Sequence, residues 1–189
     1  MTLAAAALVV AAAGGPAAPP PAGLAAAHFF PRRAGLVRIY EGRTKAAGVP
    51  AAGASCEVLE SGARLVRESC TVIVARKAKP LTRFTYELRD DGIHNVEAST
   101  EGNAASVQLD RLVLPNGLRQ GVTWTSNGVA RTVKSAGKPC TAAGRPFSDC
   151  LVLEAVREAE KSSRSKEVYA AGLGLVEDAQ WELVDVKGL

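Results

Sequence analysis

Short segments rich in Val, Thr, Tyr and Ile follow one another along most of the chain, and turn-forming residues separate them. The clearest example is Thr82–Arg89, in which apolar and polar residues alternate. Asp90-Asp91-Gly92 comes next, a combination typical of a tight turn, and Ile93–Ala98 would then return the chain. Alternation on both sides of such a turn predicts an antiparallel hairpin.

Further strand-like segments recur at short intervals: Gly35–Gly42, Cys70–Ala75, Val107–Leu114, Val122–Ser126, Val129–Lys134, Leu151–Arg157, Glu167–Ala170, Leu175–Asp178 and Trp181–Val186. Leu151–Lys161 also contains good helix formers, but we expect a strand in its first half, because a predicted cysteine bridge lies at its start. The pattern predicts an all-β fold, a mostly antiparallel and strongly curved sheet. A partial barrel and a sandwich both fit it.

The first 31 residues carry no charged side chain, and they contain an apolar run, Leu3–Ala13. This run has the length of a signal-peptide core, and small residues follow it. Cleavage is expected after Ala13 or after Ala27, although no Lys or Arg precedes the run. An Ala/Pro-rich tail is the alternative. We therefore expect a leader over residues 1–27 and a single β domain over residues 28–189, with no membrane-spanning segment.

Four cysteines are present, Cys56, Cys70, Cys140 and Cys150, and four cysteines allow three pairings. No C-x-x-C pair and no adjacent His accompany them, which argues against zinc and against thioredoxin-like chemistry. A hairpin around Ser61-Gly62-Ala63 would bring Cys56 opposite Cys70. Cys140 and Cys150 flank a Gly- and Pro-containing segment that we expect to be a loop held by a bridge. Local pairing and an oxidising compartment are therefore predicted, and four free thiols in a cytosolic protein are the alternative.

Five ordered elements carry a resemblance to a group of uncharacterised secreted and periplasmic bacterial β-domain proteins. They are an aromatic-Pro start in His28–Gly42, a Tyr…Asp-Asp-Gly hairpin in Phe84–Ile93, a Leu-Pro, Gly, Trp element in Leu114–Trp124, a Gly, Phe, Asp-Cys-Leu element in Ala143–Leu151, and a Tyr-Ala…Gly-Leu-Gly-Leu-Val ending in Tyr169–Asp178. The chain departs from the group at the first element, where the usual Trp is missing. The resemblance implies an exported β protein and no particular chemistry.

Candidate catalytic groups are few. The chain has two His, of which His28 lies near the predicted leader boundary and His94 is expected to face solvent from the returning hairpin strand. Ser135–Lys138 and Ser163–Lys166 match S-x-x-K without the companion motifs of that chemistry. Gly172-Leu173-Gly174 is interpreted as a turn rather than a dinucleotide loop. We predict a non-catalytic protein with no metal and no cofactor, and a hydrolase is the less favoured alternative.

The net charge of +4 comes from one short segment, Arg32–Lys45, while the rest of the chain is balanced. Nucleic-acid binding usually needs a wider basic face with several stacking aromatics, so no nucleic-acid partner is expected. We interpret these basic residues as the solvated end of a strand. Attraction of Arg32-Arg33 to an anionic lipid or wall polymer is the alternative.

Most of the aromatic residues lie on predicted strands, where core packing is their usual role. A strongly curved sheet can also leave a cavity for a ligand, and the aromatics that could line such a cavity are Tyr40, Phe84, Tyr86, Trp124, Tyr169 and Trp181. The sequence thus predicts a monomeric periplasmic or extracellular protein that binds a lipid or another apolar small molecule on the concave face of its sheet. A structural or interaction module with a filled core is the alternative.

Overall fold

The structure is a computed structural model that describes residues 23–43, 52–75, 77–103, 105–160 and 163–189. The predicted signal-peptide core and the cleavage point after Ala13 lie outside these residues, as does Lys45 of the basic segment.

The described residues form thirteen β-strands, two short 3-10 helices and no α-helix. The strands are β1 Val37–Gly42, β2 Ala52–Ser61, β3 Leu65–Val74, β4 Lys77–Ala78, β5 Thr82–Arg89, β6 Gly92–Thr100, β7 Val107–Pro115, β8 Thr123–Ser126, β9 Val129–Ala142, β10 Arg145–Arg157, β11 Arg164–Ala170, β12 Gly174–Glu177 and β13 Trp181–Lys187. The 3-10 helices are Ala26–Phe29 and Glu158–Glu160. Leu151–Arg157 is a strand, so the helical alternative is wrong.

All these strands belong to one antiparallel sheet in the order β7-β6-β5-β3-β2-β1-β13-β12-β11-β10-β9-β8, with β4 paired to the outside of this path. Adjacent strands in this order also follow each other in the sequence, if the short strand β4 between β3 and β5 is left out. The one exception is the pairing of β1 with β13. The sheet is nearly closed and barrel-shaped, with a seam between β7 and β8. The all-β, antiparallel, strongly curved sheet is confirmed, and a partial barrel describes it better than a sandwich.

The predicted β5–β6 hairpin forms around Asp90-Asp91, with Arg89 opposite Gly92. The segment between Cys140 and Cys150, however, is not a loop. β9 and β10 continue through it as a hairpin, and the two-residue turn Ala143-Gly144 has positive φ at both positions, 49° and 69°. Such turns match the twist of paired strands, so the pairing extends further than the Gly and Pro content suggested.

The segment Gly23–Leu36, which we call the plug segment, crosses one end of the sheet. The backbone of Leu24 pairs with that of Leu118, between β7 and β8. The carbonyl of His28 accepts a hydrogen bond from the N–H of Gly172. The N–H of Gly35 donates to the carbonyl of Val58, and the N–H of Val58 donates to the carbonyl of Leu36. Contacts with three different parts of the sheet place this segment over the interior.

The interior next to the plug segment, which we call the plug half, is filled with apolar side chains. Residues there that are at most 1% exposed include Phe29, Leu36, Val58, Val66, Ile93, Leu114, Leu118, Leu151 and Leu173. Full burial of so many large apolar groups on all sides supplies the main stabilisation of the fold.

The predicted leader boundary after Ala27 falls within this packed region. Ala26 is fully buried, and its N–H donates a hydrogen bond to Asn116 Oδ1 at 2.8 Å. Cleavage after Ala27 would remove these contacts, whereas cleavage after Ala13 would keep them. The exact boundary stays a prediction.

Candidate functional site

The interior changes character away from the plug segment. On β3, Val66, Glu68, Cys70 and Val72 alternate onto the concave face, from the plug half outward. Val66 is fully buried, whereas Cys70 and Val72 are only partly buried. This second part of the interior, which we call the pocket half, is therefore less completely filled.

An apolar pocket of about 240 Å³ lies in the pocket half. Its walls come from six strands, and the lining residues are Arg38, Tyr40, Ala54, Cys56, Glu68, Cys70, Val72, Tyr86, Leu175 and Trp181. Tyr86 separates it from the plug half, because its ring packs edge-on against Phe30 of the plug segment with centroids 4.9 Å apart. Most of the lining is aromatic or aliphatic, as in sites for small apolar ligands.

One buried ion pair lies at the base of this pocket. Arg38 Nη2 donates to Glu68 Oε1 at 2.6 Å, and the two side chains are only 6% and 5% exposed. Arg38 Nη1 also donates to the carbonyl of Leu173 at 3.3 Å. Burial lowers the pKa of Arg38, but Glu68, Tyr40 and Tyr86 raise it by more, so the net pKa is raised and the guanidinium stays charged.

The backbone next to this ion pair requires glycine. Gly174 has φ +86°, and a Cβ atom there would lie 2.8 Å from Arg38 Nη1 and 2.9 Å from Pro31 Cδ. The Gly172-Leu173-Gly174 sequence is thus a turn with positive φ at both glycines, as predicted. It lets the plug segment and Arg38 approach β12 closely.

A second, partly buried ion pair lies across the interior. Arg131 Nε donates to Glu167 Oε2 at 2.9 Å, and the Tyr169 hydroxyl donates to the same carboxylate at 3.5 Å. Desolvation lowers the pKa of Arg131, but Glu167 raises it by more, so the net pKa is raised. The interior thus holds two neutralised Arg–Glu pairs beside apolar and aromatic walls.

The tyrosines are held in their neutral form. Burial, assisted by Glu68 and Asp178 and opposed by Arg38, raises the pKa of Tyr40 to about 12. Burial likewise raises the pKa of Tyr86 and of Tyr169, with Glu68 and Glu167 as the next contributors. The hydroxyl of Tyr40 donates to the carbonyl of Leu175 at 2.8 Å.

Of the six predicted aromatics, Tyr40, Tyr86 and Trp181 line the apolar pocket. Phe84 lies 6.3 Å from Tyr86 between ring centroids on the same strand. Tyr169 contacts Glu167, and Trp124 is the cross-strand neighbour of Arg131. The structure places all six on the concave face, and whether they contact a ligand stays a prediction.

Sequence reasoning missed the charged residues that form the two interior ion pairs, Arg38, Glu68, Arg131 and Glu167. One signal was available, because Arg38 lies two positions from both Leu36 and Tyr40, on the face that strand alternation assigns to the core. Its partner could not be found this way, since Glu68 lies on β3 and reaches it across β2.

His94 is 8% exposed rather than facing solvent, so that expectation was wrong. The alternation itself holds, because Ile93 pairs with Leu88 and His94 with Glu87, but charged side chains on the outer face of the sheet cover the ring. The ring now lies between carboxylates, with Nδ1 3.0 Å from Asp110 and Nε2 3.0 Å from Asp91. Arg89 also donates to Asp110 at 2.7 Å. Both ring nitrogens have carboxylates as partners, and no hydroxyl of the described residues hydrogen-bonds to the imidazole.

Other candidate catalytic groups are not assembled. No hydrogen bond joins Ser135 to Lys138 or Ser163 to Lys166. Near the plug segment, Asp149 lies 3.6 Å from His28 Nε2 and accepts a hydrogen bond from Ser148 at 3.3 Å. Here the carboxylate, not the imidazole, is next to the hydroxyl, which is the wrong order for nucleophile activation. The described residues contain no cluster of metal-ligating side chains.

The cysteines approach each other in the predicted pairs. Cys56 and Cys70 are register partners with Cα atoms 4.1 Å apart, and Cys140 and Cys150 have Cα atoms 5.9 Å apart. Both pairs lie at disulfide-bonding distance. A register shift at Leu59 brings Cys56 directly opposite Cys70, since pairing from the turn alone would offset them by one residue.

The basic segment is not one exposed patch. Arg38 is buried against Glu68, and Arg43 pairs with Glu177. Arg32 donates to the carbonyl of Gly62 at 3.2 Å and remains exposed. Within the part of the chain that the structure describes, no helix is long and apolar enough to span a membrane.

The fold therefore defines a class: an antiparallel, nearly closed β-sheet with a plug segment at one end and a pocket in its interior. No family model matches the sequence, and no curated protein matches it. Among solved structures, it is similar to "a putative lipoprotein from Parabacteroides distasonis", with 13% identity, a TM-score of 0.48, and coverage of 85% of this chain and 98% of that chain.

Proposed function

We propose that this chain is a non-catalytic, exported β-domain protein that binds an apolar small molecule or lipid on the concave face of its sheet. The apolar pocket carries the proposal. It has a mostly apolar, aromatic lining, and its base holds a neutralised ion pair rather than a free catalytic group.

Export is supported by the chemistry of the cysteines. Bridges between Cys56 and Cys70 and between Cys140 and Cys150 would persist in an oxidising compartment, such as the periplasm or the exterior, and would be reduced in most cytosols. The charge-free apolar start of the chain agrees with that location.

The experiment is a ligand search followed by a competition in the pocket. Native mass spectrometry of the protein, purified without detergent, is expected to show a co-purifying lipid, and decan-1-ol is expected to quench or shift the fluorescence of Trp181 as it binds. Val72→Phe would fill the pocket and weaken decan-1-ol binding by about tenfold or more. Thr71→Phe is the matched control, because it places the same ring on the opposite face of β3.

The proposal fails if no ligand co-purifies and decan-1-ol changes neither the fluorescence nor the thermal stability of the parent protein. It also fails if Val72→Phe and Thr71→Phe bind decan-1-ol equally well, since binding would then occur elsewhere.

A further inference from the structure

A second interior pocket lies at the seam between β7 and β8. It has a volume of about 170 Å³, and β6, β7, β8, β9 and β11 contribute to its lining. We call it the seam pocket, and its lining residues are Asn95, Arg111, Leu112, Val113, Ser126, Asn127, Val129, Arg131 and Tyr169. Its lining is more polar than that of the apolar pocket, so it favours a different chemical group.

The two pockets adjoin each other through the strand register. Tyr86 of the apolar pocket is the cross-strand partner of Asn95 in the seam pocket. Leu175 of the apolar pocket is likewise the partner of Tyr169. One elongated ligand could therefore place different parts in the two pockets.

The seam pocket carries an unbalanced positive charge. Arg131 is neutralised by Glu167. Arg111 is the cross-strand partner of Asn95, so its side chain lies on the same concave face. It is exposed, and it makes no hydrogen bond or ion pair with any residue in the described ranges. An anionic group would complete the charge balance there, and guanidinium groups bind carboxylates and phosphates well.

Two polar atoms near Arg111 and Arg131 also lack partners. Asn95 Oδ1 and Trp124 Nε1 are both inaccessible to solvent, and neither forms a hydrogen bond within the described structure. Trp124 is the cross-strand neighbour of Arg131 and therefore points to the same face. Buried polar atoms are normally satisfied. Of these two residues only Asn95 lines the seam pocket, so its amide is the one that a bound headgroup contacts.

We infer that the seam pocket binds the anionic headgroup of a single-chain amphiphile whose apolar chain occupies the apolar pocket. This inference rests on the proposed function and adds the chemical class of the ligand. Arg111 pairs with the anionic oxygens from the wall of the pocket. The Asn95 amide binds a hydroxyl or the remaining polar part of the headgroup.

The test compares three probes with the same chain, decanoate, decyl phosphate and decan-1-ol, by calorimetry and tryptophan fluorescence. The parent protein is expected to bind at least one of the two anions about tenfold more tightly than decan-1-ol. The preferred anion identifies whether the headgroup is a carboxylate or a phosphate. Arg111→Gln is expected to abolish this preference, because the two anions then lose affinity relative to decan-1-ol.

Arg145→Gln is the matched control, because Arg145 is also an exposed arginine but lies in the β9–β10 turn region, away from the seam. It should retain the preference for the anion. Equal binding of all three probes by the parent protein would overturn the headgroup inference and leave the proposed function standing. An unchanged preference for the anion in Arg111→Gln would also overturn the headgroup inference alone. Failure of all three probes to bind the parent protein would overturn both the headgroup inference and the proposed function.

Discussion

Val66 and Val72 lie on the same face of the same strand, yet Val66 is fully buried in the plug half and Val72 is partly buried beside a pocket. In the plug half, side chains from the sheet and from the plug segment fill the interior completely. In the pocket half, two Arg–Glu pairs and several half-buried aromatics line open space. The sheet is continuous between the halves, so the difference lies in what covers and fills it rather than in its backbone.

This difference suggests that the two halves of the interior have different roles. Dense apolar packing stabilises a fold, whereas a buried ion pair is weak evidence for stability and is often less favourable than an apolar replacement. We therefore assign the stability of the domain mainly to the plug half and ligand binding to the pocket half. The first predictions below probe single interactions in the two halves, and the last measurement tests the packing difference between them.

The largest effect is expected for Glu68→Gln in the pocket half. This change leaves Arg38 buried without a counter-charge, and it should lower the free energy of unfolding by about 3–5 kcal/mol. Chemical denaturation checks it. Glu154→Gln is the control, because its partners Lys134 and Arg164 are exposed and its loss should be much smaller. Equal losses for both variants would contradict the account of the buried pair.

Removal of a single cysteine pair by a double Cys→Ala change should have the next largest effect. Chain-entropy arguments give a loss of about 3 kcal/mol for bridges that close loops of this size, whichever half contains them. Only loss of the Cys56–Cys70 pair should also alter decan-1-ol binding, because these residues line the apolar pocket. Thiol counting on the denatured, unreduced parent protein should find no free thiol, and four free thiols would refute both bridges.

A smaller effect is expected from pH. The chain has three tyrosines, and burial raises the pKa of each. Unfolded tyrosine has a pKa of about 10, so the stabilisation is complete below about pH 10 and is lost as the pH rises through the folded-state pKa, about 12 for Tyr40. The ultraviolet absorbance of tyrosinate should stay low in the folded protein at about pH 10. Its appearance there, with the circular dichroism of the folded state retained, would show that the tyrosines are accessible.

Local features of the fold could be predicted from the sequence, whereas long-range ones could not. The β5–β6 hairpin follows from alternation and a turn motif within one short segment. The pairing of β1 with β13 and the crossing of the sheet end by the plug segment join distant parts of the chain, so no local pattern encodes them. The sequence therefore predicted a curved sheet without showing how its two ends differ.

The candidate site was predictable only in part. Aromatic residues on strands could be assigned to the concave face by alternation, but alternation did not show that Asp91 and Asp110 cover His94 on the outer face. The Arg38–Glu68 pair depends on which strands become neighbours, and single-strand patterns contain no such information.

The central claim is that one half of the interior is filled and the other has space, and a paired substitution on β3 tests it most directly. The free energies of unfolding of Val66→Phe and Val72→Phe would be measured against the parent protein. Overpacking the plug half should cost about 1–3 kcal/mol for Val66→Phe, whereas Val72→Phe should stay within about 0.5 kcal/mol of the parent, because its ring enters the apolar pocket. Equal destabilisation by the two variants would contradict the account.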